Sequence, residues 1–187
     1  KGVQKMNPFI DCPVYETERF ILKKLKREDA EALFSCYSDQ EAARYFNGDS
    51  CGDDFYYTDM EKFKNCVEYW LSRYDAEDFV RWSVQDKEKQ ILIGTIEVCP
   101  SLKYAVDGKM MGILRIDLRS EYEKEEYLEE LVGVLLQHIY ADFQVASVLM
   151  KIQKDAVERR KLIKKFYFVP AKEECNISFS DYYVCYK

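Results

Sequence analysis

The 187 residues, 48% hydrophobic and 15% aromatic, suffice to close a sizeable core in one domain spanning 1–187 and lie far from a disordered composition. A net charge of −6 leaves no overall basic footprint, which argues against a nucleic-acid partner held by phosphate neutralisation. Seven scattered cysteines form neither a CxxC pair nor a zinc spacing, so reduced thiols in a cytoplasmic protein without a metal are expected; no apolar run approaches the ~20 residues that span a bilayer.

In chain order, "ERFILKKL" (18–25) alternates apolar and charged residues and reads as a first strand. "REDAEALFSCYSD" (27–39) places Ala30, Leu33, Phe34 and Tyr37 at helical spacing with acids in its first turn. An irregular loop with Asn47-Gly48 and Cys51-Gly52 leads to a second helix, "TDMEKFKNCVEYWLSRY" (58–74). Thr58 with Glu61 three residues on predicts its capping box. Strands follow at 79–86, 90–99 and 112–119, the first two joined by the turn "DKEK" as an antiparallel hairpin. A long helix over about 125–142, a strand at 146–153, a basic helix at 156–166 and a final alternating strand at 177–187 complete the order.

That order carries particular words. "ETERFILKKLKREDAEALFSCYSDQEAARYF" (16–46), "LIGTIEV" (92–98) and "FYFVPA" (166–171) resemble, in sequence and spacing, the GNAT superfamily of N-acetyltransferases, in particular the branch acting on ribosomal-protein N-termini. The resemblance implies an α/β GNAT fold, a twisted mixed sheet of six to seven strands with helices on both faces. It also implies parallel strands at 112–119 and 146–153, joined through the 125–142 helix. Acetyl-CoA is the cofactor it implies, and an amine, on a small molecule or a protein N-terminus, is the acceptor. The resemblance would place the cofactor at Ile116, Leu118, Glu123, Lys124, Glu125, Glu126, Tyr127 and Leu128. A monomer, or a homodimer through the tyrosine-rich C-terminal strand, is expected, with no membrane contact; the acceptor or any protein partner is not identified by the sequence.

At that junction, however, "SEYEKEEYLEEL" (120–131) carries six glutamates and no glycine. The family signature offers bare backbone N–H groups to a pyrophosphate; Glu123, Glu126 and Leu128 stand where its Arg or Gln and two small residues belong. A carboxylate about 8 Å from one phosphate charge costs roughly 2 kcal/mol at an effective dielectric near 20. A later Asn, Ser and Tyr that the family sets against the cofactor fall near Ala156, Arg159 and Ile163. We therefore expect a fold impaired in ordinary acetyl-CoA use, a binding or regulatory module, with an active acetyltransferase as the alternative. The helix at 125 is expected to be capped by glutamates of its own first turn.

Among groups that could do chemistry, Glu97 shares a strand face with Thr95 and could act as a base, or simply lie in solvent. Asp117 could act as a base beside Arg119, or form a surface ion pair with it. His138, the only histidine, borders the core stripe of its helix. Residues 151–165 hold seven basic side chains against Asp155 and Glu158, a patch suited to an anion or to an acidic segment of the same molecule.

Overall fold

A computed structural model describes residues 5–105 and 107–187. Its sheet has eight strands: β1 (Tyr15–Glu16), β2 (Phe20–Lys24), β3 (Val80–Asp86), β4 (Ile91–Ser101), β5 (Met111–Leu118), β6 (Ser147–Lys151), β7 (Val169–Pro170) and β8 (Tyr182–Tyr186). They lie in the order β1-β2-β3-β4-β5-β6-β8-β7. Two of the eight, β1 and β7, are two residues long, too short to leave an alternating pattern, which accounts for the excess over the six or seven expected.

Helices α1 (Ala30–Tyr37), α2 (Gln40–Ala43) and α3 (Met60–Asp75) precede the central strands; α4 (Glu125–Asp142) links β5 to β6, and α5 (Val157–Lys165) follows β6. The helix expected from residue 58 starts two residues later. Asp59 rather than Thr58 is its cap, its carboxylate accepting from Lys62 N at 3.1 Å. β3 and β4 form the expected antiparallel hairpin, and β5 and β6 run parallel, Met111 to Leu114 facing Ser147 to Met150.

Strand alternation divides the chemistry of the sheet. One face carries Trp82, Ile96, Leu114, Ile116 and Leu118, packed with Leu128, Leu131, Leu135 and Ile139 of α4 in a single apolar cluster. A second cluster, built from Leu33, Tyr37, Phe63, Val67 and Trp70 of α1 and α3, covers the opposite face. Helices thus lie on both faces. The register pairs Arg81 with Glu97, Thr95 with Asp117 and Glu97 with Arg115, which places polar side chains of three adjacent strands under α1 and α3.

β5 outruns β6: pairing stops at Leu114, so Arg115–Leu118 have a strand partner on the β4 side only. The sheet opens there into a wedge beside the start of α4. The glycine of "LIGTIEV" is fixed by contact on the same stretch, since a Cβ at Gly94 would lie 1.9 Å from the Asp117 carbonyl oxygen. The Gly94→Ala substitution should therefore push β4 off β5 and cost about 1–3 kcal/mol, the usual range for overpacking; urea denaturation measures it, and a loss under a few tenths would contradict the close approach.

Candidate functional site

The start of α4 is the first place to look. Glu123 and Arg159 of α5 form a two-pronged ion pair, Nε to Oε1 at 2.5 Å and Nη2 to Oε2 at 3.0 Å, with Arg159 only 2% exposed. The same guanidinium donates to the Ile116 carbonyl at 2.7 Å and to the Tyr45 carbonyl at 3.3 Å. It thus fills the wedge where β5 parts from β6. Ile116 and Leu118 turn their side chains into the core, leaving only backbone for a ligand, and the Ile116 carbonyl is occupied.

Most amides of the turn are also taken by partners among the described residues, those of Glu121 and Glu126 excepted. Arg119 N reaches Ile93 O at 2.8 Å, Ser120 N the Asp39 carboxylate at 3.0 Å, Glu123 N Ser120 O at 3.1 Å and Lys124 N Tyr122 O at 2.8 Å. Glu125 N donates to Glu158 of α5 at 3.0 Å, and Tyr127 N and Leu128 N both donate to Lys124 O. The expected self-capping is therefore corrected: Lys124 occupies the cap without a side-chain bond, and a carboxylate from another helix satisfies the first amide. Sequence could not assign that partner, because it lies 33 residues away.

Of the remaining sequence-predicted residues here, Lys124 and Glu126 are exposed. Tyr127 packs edge-on against Phe20 under Arg19. Leu128 is fully buried in the core, so its side chain replaces a small residue by pointing inward, away from any ligand. Part of the basic segment finds its complement within the molecule: Lys161 meets Glu125 at 2.9 Å and Glu158 at 3.1 Å, Lys165 meets Glu129 at 3.7 Å, and Lys151 meets Asp49 at 2.7 Å. Tyr167 has a left-handed φ of 58°, a conformation that favours glycine.

Asp39 ties this turn to the first helices. One oxygen caps α2 through Glu41 N and Ala42 N, and the other accepts from Ser120 N. Partial burial opposes its charge, yet these N–H donors hold the carboxyl below its usual value. A depressed carboxyl stabilises the fold above its unfolded value, near 4, and that contribution fades as pH falls through the folded value. Asp39→Asn should therefore flatten the loss of stability below about pH 4, a change read from urea midpoints across pH 2–5.

The second place is a cavity of about 520 Å³ on the other sheet face, between α3, the 50–57 loop and β3–β5. Glu97 lines it while Asp117 does not, and the group that joins the two is Arg81. Its Nη2 meets Glu97 at 2.5 Å, and its Nη1 meets Thr95 Oγ1 at 2.7 Å and Asp117 at 3.2 Å. Arg115 holds the other Glu97 oxygen at 2.7 Å, and the Tyr37 hydroxyl donates to Asp117 at 2.8 Å.

Glu97 and Asp117 are therefore neither solvent-exposed nor a surface pair; Asp117 pairs with Arg81, while Arg119 meets Glu121 at 3.8 Å. Both Glu97 oxygens are engaged, so proton abstraction would require breaking one of these contacts. Burial alone would lower the Arg81 value, but the Glu97 and Asp117 carboxylates hold it above that of a free guanidinium, and the ring of Trp70 lies 3.9 Å beneath it. Burial pushes the neighbouring Cys66 thiol up to about 11, so it is not an activated nucleophile. His138 lies apart, exposed and stacked on Tyr15.

Sequence reading missed Arg81 and Arg115, and placed Arg159 only near the family's Ser and within the basic segment, without its partner Glu123. The first two had a signal: charged residues at alternate, same-face positions of three consecutive strands, in "FVRWSV", "GTIEV" and "ILRIDL".

Residues 19–169 match the acetyltransferase (GNAT) domain, and the chain belongs to that family. It is 30% identical over 84 residues to YoaA of Bacillus subtilis, described as an uncharacterized N-acetyltransferase; the match spans 45% of this chain and 44% of that relative. In three dimensions it resembles a GNAT-family acetyltransferase from Bacillus anthracis, with TM-score 0.68 and 15% identity over 93% of this chain and 98% of that one. It also resembles the ribosomal-protein-S5-alanine acetyltransferase from Vibrio fischeri, with TM-score 0.67 and 16% identity over 94% and 96%. A third likeness is to RimL, a ribosomal-protein acetyltransferase solved with coenzyme A, with TM-score 0.69 and 10% identity over 93% and 98%. At these identities the structural likeness establishes the fold.

Among the described residues, no helix is long and apolar enough to cross a membrane. Breaking the buried cluster from one side should be costly: Arg81→Met leaves Asp117 without a cation and Glu97 with Arg115 alone, and should destabilise by about 3–5 kcal/mol in urea unfolding, against the 0–1 kcal/mol of a surface pair.

Proposed function

We propose that this chain is a GNAT-fold binding or regulatory module that does not take acetyl-CoA in the ordinary way. The observation that carries the reading is the Arg159–Glu123 pair, bonded to the Ile116 carbonyl within the open wedge of the sheet. A cofactor entering along β5 would have to displace a buried charge pair. Glu123 would also oppose a pyrophosphate at the head of α4, and Glu158 already holds the first amide that the helix could offer.

The residues present thus fit acetyl-CoA poorly in this arrangement. When bound, acetyl-CoA would supply an activated acetyl group for attack by an amine. Freed of its carboxylate, Arg159 is the residue that could instead meet a phosphate. The reading of an active N-acetyltransferase, acting on a small amine or a protein N-terminus, draws support from the cavity beside Glu97, which has room for an acceptor. We assign a cytoplasmic location, consistent with seven unpaired thiols.

Calorimetric titration of the whole protein with acetyl-CoA tests the proposal. Native protein should bind at about 200 µM or weaker, and Glu123→Gln, which keeps the shape and removes the charge, should bind roughly tenfold more tightly, on the scale of one charge-assisted hydrogen bond. Low-micromolar binding by native protein would return the chain to the active reading.

A further inference from the structure

The 520 Å³ cavity shares no lining residue with the α4 turn, so its chemistry can be considered apart from the cofactor's place. Phe55, Tyr57, Tyr69, Trp70 and Phe79 give it aromatic walls, and its volume falls in the usual ~300–1,000 Å³ range of small-molecule pockets.

Its charges are unequally satisfied. Arg81 is consumed by Glu97 and Asp117, and the Asp53 carboxylate is held by the Tyr57 hydroxyl. Arg115 is different: Nη1 meets Glu97, but the only partner of Nη2 among the described residues is the Cys51 thiol at 3.9 Å, a weak acceptor. The Arg115 side chain remains 15% exposed, so this edge of the fork borders the cavity without a carboxylate. At the rim, Lys62 forms no ion pair among the described residues, and Asn65 lies beside it. The cavity therefore combines a flat apolar interior with one guanidinium edge and one rim ammonium that no carboxylate occupies, Glu97 holding the other edge of Arg115 and the Tyr57 hydroxyl holding Asp53.

The rim is built rather than incidental. Gly48 lets the loop close on itself, because a Cβ there would sit 2.3 Å from the Asp53 carbonyl oxygen. Phe55, a bulky residue, is held at a left-handed φ of 61°, a conformation retained only where surroundings enforce it.

We propose that this cavity binds a small carboxylate with an aromatic or similarly flat apolar body, its carboxylate on Arg115 and Lys62 and its body against Trp70 and Tyr57. A guanidinium edge matches a carboxylate in plane, and closure by aromatic walls strengthens the charge-assisted bonds. The site stands whether or not acetyl-CoA binds.

The test titrates three probes with the same benzyl body into the whole protein without any CoA compound: phenylacetate, its neutral isostere phenylacetamide and cationic phenethylamine. Heat and tryptophan fluorescence are read together, since Trp70 lines the cavity. Phenylacetate should bind at about 1 mM or tighter, as expected of a fragment-sized ligand, and phenylacetamide about tenfold more weakly. Arg115→Gln should weaken phenylacetate about tenfold while leaving phenylacetamide unchanged, and Lys62→Gln about threefold. Should Arg115→Gln fail to fold, the probe comparison on native protein and the rim variant decide. Phenethylamine binding as tightly as phenylacetate, or no saturable signal from phenylacetate by about 20 mM, overturns the proposal. Because no arm contains acetyl-CoA, failure here is distinct from failure of the cofactor reading.

Discussion

A charge cannot be left alone in a protein interior, and the central half of this fold is arranged around one that would otherwise be. Arg81 is 4% exposed, on a strand between two apolar clusters, and its neutralisation requires β3, β4 and β5 to hold one register. A one-residue slip of β4 would carry Glu97 to the apolar face and bring Ile96 beneath the guanidinium. α1 is tied to the same point through Tyr37, and α3 through the ring of Trp70. The cavity between them takes its floor from this cluster, so packing and site chemistry on this face are the same set of contacts.

The other face uses a second buried guanidinium differently. Arg159 does not support the sheet where its strands pair; it bridges the place where they separate. A parted sheet exposes carbonyl groups that must find donors, and a helix start exposes amides that must find acceptors. A ligand could meet both needs, but here α5 supplies a cation for the carbonyl and the carboxylate of Glu158 for the amide. Glutamates in the turn are then consistent with the fold: Glu123 balances Arg159, and Glu125 meets Lys161. The helix-start sequence and the basic segment, about 35 residues apart, are two halves of one electrostatic arrangement.

Much of the fold was legible because its determinants are local. The alternation of "FILKK" and "VRWSVQD", the stripe of α3 and the apolar run of α4 follow from periodicity, and α4 falls on the expected stretch. The cap of α3 was misplaced by one position because Thr58 and Asp59 are both competent caps, and only the backbone entering the helix selects between them. Short β1 and β7 left no signal, since two residues carry no period.

The sequence by itself determined the order of the longer elements, the sharing of a sheet face by Thr95 and Glu97, and the absence of glycine at the head of α4. Tertiary structure decided what those charges do. Glu97 and Asp117 meet Arg81 only when three strands align, and Glu123 meets Arg159 across 36 residues of chain. Side-chain spacing along a strand or helix is fixed by local geometry, whereas the partner of a buried charge is fixed by which distant segment arrives beside it.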